Sequence, residues 1–260
     1  MKKLGFIGMG NMAGAIACGV AKSGFLKGEE MIAYDIIDSQ LEKVKEYHFT
    51  IAKDEREVIT ESEIVFIGVK PQVLENVLEP LKELLQDKAL ISIVLGYDYE
   101  KYQQILDPST RHIFVMPNTP ALVLKGMSLI EETHSLTQTE FEFTKTMFSS
   151  IGEIEIVPSY LMETAGTLSG CGPAFIYMVI EALADGAVKE GVPRAMAYKL
   201  ASQTIVGSGM MQLETLLHPG TLKDQVCSPG GSTIRGVEAL EKGNIRAAFI
   251  DAISSAVHYK

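Results

Sequence analysis

The order of apolar and polar positions divides the chain into two parts with different rhythms. Up to about residue 157, short β-rich runs alternate with stretches of helical spacing. Several runs, such as Ile64–Val69, are continuously apolar, as expected for strands that are buried on both faces. The predicted strands are Leu4–Gly8, Glu30–Asp35, Phe49–Lys53, Glu63–Val69, Ala89–Leu95, Arg111–Pro117, Gly126–Glu132 and Gly152–Val157. Strands that alternate with helices at this spacing predict a mostly parallel sheet with right-handed crossovers.

The predicted helices of the first part lie between these strands, and after Pro158 the β pattern stops. The helices predicted in the first part are Asn11–Ser23, Ser39–Tyr47, Pro71–Gln86, Asp98–Leu106 and Thr137–Ser150. Those predicted after Pro158 are Pro173–Glu190, Pro193–Leu217, Gly231–Lys242 and Asn244–His258. The fold class is therefore α/β, with a mostly parallel sheet domain over residues 1–158 followed by an all-α domain over residues 159–260.

The helix predicted from Pro173 is apolar nearly all round. Its first eight residues carry no charge, and a helix of this kind has to be covered on all sides. A domain of about 100 residues can hardly do so alone while it also packs on a sheet domain. We therefore expect a second copy of the chain to cover this helix, giving a homodimer. A core formed wholly within one chain is the alternative.

Composition and charge narrow the classes of function. Of the 260 residues, 47% are hydrophobic and 22% are charged, which is ordinary for a globular protein. The formal net charge is −10, so we expect neither nucleic acid nor an anionic membrane surface as a partner. Cys18, Cys171 and Cys227 form no CxxC pair, which gives no signal for a disulfide framework or a metal site. With no run of about 20 apolar residues, the sequence predicts a cytoplasmic protein.

A glycine-rich motif follows the first predicted strand and opens the first predicted helix. Gly8, Gly10 and Ala13 occupy the three small positions of a G-x-G-x-x-G/A fingerprint. In this pattern the first glycine makes a tight turn, the second lets the backbone approach a pyrophosphate, and the third position lets the helix pack closely on the strand. The motif predicts a dinucleotide site, and a glycine turn without a ligand is the alternative.

Asp35, at the end of the second predicted strand, bears on the choice of coenzyme. A carboxylate at this place can accept hydrogen bonds from the 2′-hydroxyl of the adenosine ribose and repels a 2′-phosphate. This favours tolerance of NADH. Two alternatives stay open, because Asp35 can instead cap the turn into the helix, and a neighbouring basic residue can take the phosphate.

Two further loops follow the fourth and sixth predicted strands, at Gly68–Pro71 and Met116–Pro120. Because ligands of open α/β sheets bind outside the carboxyl ends of the strands, both loops are expected to line the cleft. Lys70 is a candidate catalytic acid, although a solvated lysine whose loop binds through its backbone is the preferred reading. Pro117 and Asn118 lie in a loop stiffened by two prolines, which suits a surface that fixes a ring.

A third motif, CSPGGSTIRG, starts at Cys227 and leads into a predicted helix. The N–H groups of Gly230, Gly231, Ser232 and Thr233 form a candidate site for an anion, to which the helix dipole adds. A carboxylate is a natural occupant. The Thr233 hydroxyl lies in the first turn, where it either caps the helix or donates to a ligand atom.

Taken together, the segments GFIGMGNM, VKP, MPNTPAL, LSGCGPAF and HPGTLKDQVCSPGGSTIRGVEALE resemble the Δ1-pyrroline-5-carboxylate reductase family nearly from end to end. The resemblance implies a Rossmann-type domain, then a helical dimerisation domain, and dimers often assembled into rings. It also implies reduction of the cyclic imine pyrroline-5-carboxylate to L-proline by NADPH or NADH, the last step of proline biosynthesis.

The resemblance also implies roles for individual residues. The substrate carboxylate would lie on Gly230, Gly231, Ser232 and Thr233, with the Thr233 hydroxyl bonded to the substrate nitrogen. Taken with the motifs above, the expected coenzyme contacts are Ile7, Gly8, Met9, Gly10, Asn11, Met12, Asp35, Gly68, Val69, Lys70, Pro71, Ile93, Val94, Leu95, Pro117 and Asn118. Leu95 is bulkier than the small residue common in the family at this strand end.

Two other functions compete with this reading. β-Hydroxyacid dehydrogenases resemble one another in a catalytic lysine on the interdomain helix. The corresponding stretch here, Ala174–Ile180, contains no lysine. A reductase-like protein that senses the dinucleotide without turnover is the second alternative. The Gly230–Thr233 loop favours catalysis over sensing.

Overall fold

The computed structural model of the chain describes residues 1–258 and divides them into two compact units. The first unit, Met1–Gly170, is built on one eight-stranded sheet. Its strands are β1 (Lys2–Ile7), β2 (Met31–Tyr34), β3 (Thr50–Ile51), β4 (Ser62–Ile67), β5 (Ala89–Ser92), β6 (Arg111–Met116), β7 (Gly126–Glu131) and β8 (Gly152–Val157). All eight predicted strands are present; β8 has the predicted bounds, β1 starts two residues earlier than predicted, and β3 is three residues shorter.

The strands lie in the order β3-β2-β1-β4-β5-β6-β7-β8, and β1 to β6 are all parallel. Only β7 runs antiparallel to its neighbour β6, while β7 and β8 are parallel to each other. The first six strands follow the order of the Rossmann-type sheet. The predicted mostly parallel sheet is therefore confirmed. Its strand order reverses direction between β1 and β4, which makes this the point where such sheets bind ligands.

The apolar run of β4 shows why the strands are continuously hydrophobic. Ile64 and Phe66 belong to the core on one face of the sheet, together with helix residues such as Ile16 and Phe148. Val65 and Ile67 belong to the core on the opposite face. Successive side chains of a strand point to opposite faces, so two covered faces require an apolar residue at every position.

The helices of the first unit differ in two places from those predicted. They are α1 (Asn11–Ser23), α2 (Asp38–Lys45), α3 (Glu55–Glu61), α4 (Leu74–Leu78), α5 (Tyr99–Ile105) and α6 (Gln138–Ser149). The single helix predicted over Pro71–Gln86 is wrong, because α4 gives way at Pro80 to a 3-10 turn. Proline has no N–H to continue the α-helical hydrogen bonds. The unpredicted α3 begins at Asp54, whose carboxylate accepts a hydrogen bond from Glu57 N.

Helix α7 (Met162–Lys189) begins well before Pro173, where the sequence was expected to start it. Pro173 lies inside the helix. The first turns of α7 pack on the sheet, since a Cβ on Gly166 would stand 1.8 Å from the Met116 sulfur. The boundary between the two compact units consequently falls between Gly170 and Cys171, inside α7. The domain limits at residues 158 and 159, drawn where the β pattern ends, stay a prediction.

The second unit is entirely helical over its described residues. After the rest of α7 come α8 (Arg194–Thr215), α9 (Pro219–Gln225), α10 (Ser232–Lys242) and α11 (Ile245–Val257). The short α9 was not predicted, and the His218 ring caps it by accepting a hydrogen bond from Gly220 N at 3.0 Å. Large apolar side chains are exposed along α7 and α8, among them Tyr177, Met178, Leu200, Val206 and Leu213.

One helical segment, Ser159–Lys189, is long and apolar enough to cross a membrane by length and composition alone. The sequence prediction rested on the absence of a run of about 20 consecutive apolar residues, and this segment does contain charged positions such as Glu163 and Glu181. Little of the segment is buried within the chain. Its apolar surface is also what a subunit interface presents, since contiguous exposed patches of this kind mark association sites.

Glu131 is a fully buried carboxyl group at the end of β7. One of its oxygens accepts a hydrogen bond from Tyr99 N at 2.9 Å, and the other has no partner within the described residues. Burial raises the pKa of the Glu131 carboxyl; Ser159 and the Tyr99 amide act against this rise, and the nearby Asp98 and Glu100 add to it. The folded chain therefore keeps this proton at pH values where the unfolded chain has released it.

We expect the replacement Glu131→Gln to flatten the pH dependence of stability. Stability from Glu131 is complete below the unfolded pKa and is lost as the pH rises through the raised folded pKa, because a charge must then be buried. Between one pH below and one pH above the raised pKa of Glu131, the free energy of unfolding of the variant should rise relative to that of the wild type. Urea unfolding at both pH values measures this. Glu132→Gln, on an exposed neighbour, should change nothing, and a variant that tracks the wild type would refute the expectation.

Candidate active site

The glycine loop after β1 has the geometry of the tight turn expected from its sequence. Gly8 has a φ of +86°, and its N–H donates to the Tyr34 carbonyl at 2.9 Å. A Cβ at this position would stand 2.8 Å from a methyl group of Val69 and 3.0 Å from the Gly68 carbonyl. Both the backbone conformation and the space therefore require glycine.

Gly10 differs from Gly8, because the space where its side chain would lie is open. It is the N-cap of α1, and nothing lies within 4 Å of the place where its Cβ would be. The N-terminal N–H groups of a helix have no partner within the helix and attract anions. An open cradle of this kind, at the sheet's switch point between β1 and β4, fits the pyrophosphate of a dinucleotide.

The loop after β4 lies directly against α1. A Cβ on Gly68 would stand 2.6 Å from the Cβ of Ala13, and the Gly68 N–H donates to the Ile7 carbonyl at 2.9 Å. The third small position of the motif thus serves the contact between α1 and this second loop. The structure brings the predicted segments Ile7–Met12 and Gly68–Pro71 together on one edge of the sheet.

Side chains hold the backbone of Met9 at both its N–H and its carbonyl. Its N–H donates to the Asp35 carboxylate at 2.6 Å, and its carbonyl accepts from the Lys43 ammonium at 2.8 Å. Lys43 also donates to the Gln40 side chain, and its stem crosses α1 at Gly14. A Cβ on Gly14 would stand 2.5 Å from Lys43 Cδ. Sequence reasoning missed Lys43; the one available signal was a glycine inside a helix, where it is unfavourable.

Asp35 serves the turn as well as the loop. Its second oxygen accepts a hydrogen bond from Ile37 N at 2.8 Å, so the turn-capping alternative describes one of its contacts. Each carboxylate oxygen has a further lone pair for a ligand. The surroundings are acidic: burial raises the pKa of the adjacent Tyr34 phenol, and so do the charges of Glu55, Asp54, Asp35 and Asp38.

Lys70 and Asn118 are placed very differently. Lys70 is exposed and makes no hydrogen bond or ion pair through its ammonium with any of residues 1–258, which agrees with a solvated lysine. Asn118 is buried, and its side chain donates to the Ser169 carbonyl at 3.0 Å and accepts from Met127 N at 2.9 Å. Its amide group therefore holds β7 and α7 in place, which leaves chiefly the backbone of the Pro117–Asn118 loop for a ligand.

The loop that follows β5 presents a mixed surface. Ile93 N donates to the Ile67 carbonyl at 3.2 Å, which extends the sheet by one bond beyond Ser92. The Val94 side chain points into the core, whereas Leu95 is 57% exposed. Gly96 then turns the chain with a φ of +82°. Leu95 is therefore the most exposed apolar side chain of this loop.

The second unit carries the predicted anion loop before α10. Gly230 has a φ of +69°, and Gly231 donates its N–H to the Ser228 carbonyl at 3.0 Å. The N-cap of α10 is Gly231, without a side-chain capping bond, so the Thr233 hydroxyl is not the cap. Thr233 is exposed. Because Gly231 N–H is already bonded to the Ser228 carbonyl, the N–H groups of Gly230, Ser232 and Thr233 remain of the four predicted for an anion.

Two family models match the chain. The model described as "Pyrroline-5-carboxylate reductase dimerisation" matches residues 159–260, and the model described as "NADP oxidoreductase coenzyme F420-dependent" matches residues 3–96. The first covers the helical part with its exposed apolar side chains, and the second covers the glycine loop. The chain thus combines a nicotinamide dinucleotide-binding oxidoreductase domain with a dimerisation domain.

Named relatives agree along the whole length of the chain. A pyrroline-5-carboxylate reductase of Methanosarcina acetivorans is 41% identical over 98% of this chain and 95% of its own, and that of Escherichia coli is 38% identical over 98% and 96%. The crystal structure of Plasmodium falciparum pyrroline carboxylate reductase with NADP bound has a TM-score of 0.88 at 32% identity, over 98% of this chain and 95% of that one. This chain belongs to the pyrroline-5-carboxylate reductase family.

Proposed function

We propose that the protein reduces the cyclic imine Δ1-pyrroline-5-carboxylate to L-proline at the expense of NADH or NADPH, the last step of proline biosynthesis. The observation that carries the proposal is the 41% identity, over 98% of the chain, to a relative named for this reaction. The glycine loop of the first unit and the anion loop of the second both fall inside the matched length. They offer sites for the two molecules that the reaction needs.

The coenzyme is assigned to the first unit. The N-terminal turn of α1 binds the pyrophosphate in the open space at Gly10, while Gly8 and the clamped Met9 peptide keep the loop in shape. The backbones of Gly68–Pro71, Ile93–Leu95 and Pro117–Asn118 would hold the nicotinamide end. When bound, the reduced nicotinamide supplies the hydride.

The substrate is assigned to the loop that precedes α10. Its carboxylate accepts hydrogen bonds from the free N–H groups of Ser232 and Thr233, where the helix dipole favours negative charge. Gly230, with its positive φ, gives the loop the turn that presents these groups. The Thr233 hydroxyl bonds to the ring nitrogen and orients the imine carbon for attack, so positioning provides much of the rate. Solvent or an already protonated imine supplies the proton.

The exposed apolar faces of α7 and α8 are assigned to a second copy of the chain. The dimerisation model covers both helices, which supports this assignment. We infer a homodimer as the basic unit and a ring of dimers as its larger assembly, in keeping with the resemblance described above.

Oxidation of NADH and of NADPH by the purified protein, followed with racemic pyrroline-5-carboxylate, tests the proposed reaction. We expect substrate-dependent oxidation of at least one coenzyme and formation of proline. A protein that binds coenzyme tightly but forms no proline with either one would instead be the sensor without turnover.

We further propose that NADH is the preferred coenzyme. The ribose end of the site lies beside Asp35, and the neighbouring Tyr34 is surrounded by Glu55, Asp54, Asp35 and Asp38. A 2′-phosphate would bring further negative charge into this region, and the nearby ammonium of Lys43 is already bonded to Met9 and Gln40. The Plasmodium falciparum relative has NADP bound, so the preference belongs to this chain's own residues and not to the family.

The replacement Asp35→Ser should shift preference towards NADPH. Removing the carboxylate relieves repulsion of the 2′-phosphate and also loosens the Met9 amide, so both coenzymes bind less well but NADPH suffers less. We expect the ratio of kcat/KM for NADPH to that for NADH to rise about tenfold. The control Asp38→Ser removes an exposed charge that does not bond to the glycine loop, and its effect should be smaller. An unchanged ratio in Asp35→Ser would defeat the charge argument.

A further inference from the structure

A pair of buried hydroxyl groups lies beneath the loop that follows β5. The oxygens of Ser92 and Tyr102 are 2.6 Å apart, and both residues are fully buried. Ser92 is the last residue of β5, and Tyr102 lies in the middle of α5. Burial raises the pKa of the Tyr102 phenol, so the pair is neutral and joined by an ordinary hydrogen bond. Neither the glycine motifs nor the resemblance pointed to these two residues.

The pair is connected to the backbone of the loop. Val94 N donates a hydrogen bond to the Ser92 hydroxyl at 3.1 Å, and Tyr97 N donates to the Val94 carbonyl at 3.3 Å. The Val94 backbone is thus held at its N–H by the buried pair and at its carbonyl by the N–H of Tyr97. The Ser92 oxygen accepts from Val94 and exchanges one hydrogen bond with Tyr102, which uses two of the three hydrogen bonds that a hydroxyl can make.

A second connection holds the outer part of the same loop. The Tyr97 hydroxyl donates to the Glu75 carboxylate in α4 at 2.9 Å, and its ring lies 5.9 Å from that of Tyr102. Helix α4 follows the Gly68–Pro71 loop, so Tyr97 links the two loops that are assigned to the nicotinamide end. Val94 and Leu95 lie between the inner and outer connections.

We infer that Tyr102 is a positioning residue for hydride transfer, acting through Ser92 and the Val94 amide to fix the Ile93–Leu95 backbone that would contact the nicotinamide end of the coenzyme. This inference rests on the proposed coenzyme contact of Ile93–Leu95. Tyr102 itself touches neither coenzyme nor substrate. Small displacements of a reacting group lower rates steeply, by about a hundredfold for a misplacement of about 1 Å. A hydroxyl buried outside the site therefore influences the reaction.

The replacement Tyr102→Phe tests this role, because it removes only the hydroxyl and leaves the ring packed. We expect kcat to fall about tenfold with little change in KM for the imine. Binding of ADP-ribose, which lacks the nicotinamide, should stay within about twofold of the wild type, whereas NADH should bind several times more weakly. Ser92→Ala removes the hydroxyl that joins Tyr102 to the Val94 N–H and should cause the same changes in kcat and in NADH binding. Tyr99→Phe, in the same helix but bonded to Gln103, is the matched control and should behave as wild type.

The results separate this inference from the proposed reaction. If the wild type forms no proline, the reaction is refuted, while the comparison of NADH with ADP-ribose still tests the positioning of the loop. An unchanged kcat and NADH affinity in Tyr102→Phe would overturn the inference. Equal weakening of NADH and ADP-ribose would overturn it too, because a general loosening of the domain affects both ends of the coenzyme.

Discussion

Replacing Thr233 by Ala is expected to lower kcat by about a hundredfold, while the Kd for NADH stays within about twofold of the wild type. The hydroxyl is exposed in the first turn of α10 and does not cap the helix, so its loss should not disturb the fold. The coenzyme is assigned to the first unit and should not sense the change. Steady-state kinetics with pyrroline-5-carboxylate, together with fluorescence titration of NADH, measure the two quantities.

Two control variants sharpen this expectation. Thr233→Ser keeps a hydroxyl at the same place and should retain most of the rate. Ser232→Ala keeps both backbone N–H groups and removes a neighbouring hydroxyl that has no assigned role, so kcat should change little. Equal losses in Thr233→Ala and Ser232→Ala would contradict a specific bond to the substrate nitrogen. A normal rate in Thr233→Ala would place the catalytic group elsewhere.

The second large effect is expected at Gly10. Nothing lies within 4 Å of a Cβ built on this residue, and its φ of −57° suits any amino acid. Gly10→Ala should therefore change the free energy of unfolding by less than about 1 kcal/mol. The methyl group would, however, fill the space assigned to the pyrophosphate. We expect the Kd for NADH and for ADP-ribose to rise about a hundredfold each, measured by calorimetric titration.

Gly8→Ala provides the contrast, because this replacement should also destabilise the fold. The φ of +86° and the approach of Val69 to 2.8 Å both oppose a side chain. This variant should lose stability by more than about 1 kcal/mol in addition to coenzyme affinity. If Gly10→Ala proves as unstable as Gly8→Ala, or binds coenzyme normally, the placement of the pyrophosphate is wrong.

Much of the coenzyme half could be predicted because its requirements are local in sequence. A tight turn with positive φ needs glycine, and the close contact with Gly68 needs a small residue at Ala13. Both constraints leave a pattern within a few residues. The buried strands are similar, since a sheet covered on two faces demands continuous apolar runs, as in Ile64–Ile67.

The features that escaped prediction depend on contacts between distant residues. Lys43 reaches Met9 from another helix, and Tyr102 meets Ser92 across the sheet's face; a lysine and a tyrosine in amphipathic helices carry no local mark of such roles. The start of α7 was missed for a related reason. The proline at position 173 was interpreted as a helix start, although a long helix packed on the sheet at Gly166 accommodates it.

The path of Lys43 over Gly14 has a consequence for how this sequence can evolve. A methyl group at position 14 would stand 2.5 Å from the lysine stem, along which the lysine reaches the Met9 carbonyl. The two positions are therefore not free to drift separately. A lineage that acquires alanine at position 14 has to shift the lysine stem at position 43, and this shift acts directly on the bond that holds the coenzyme loop at Met9.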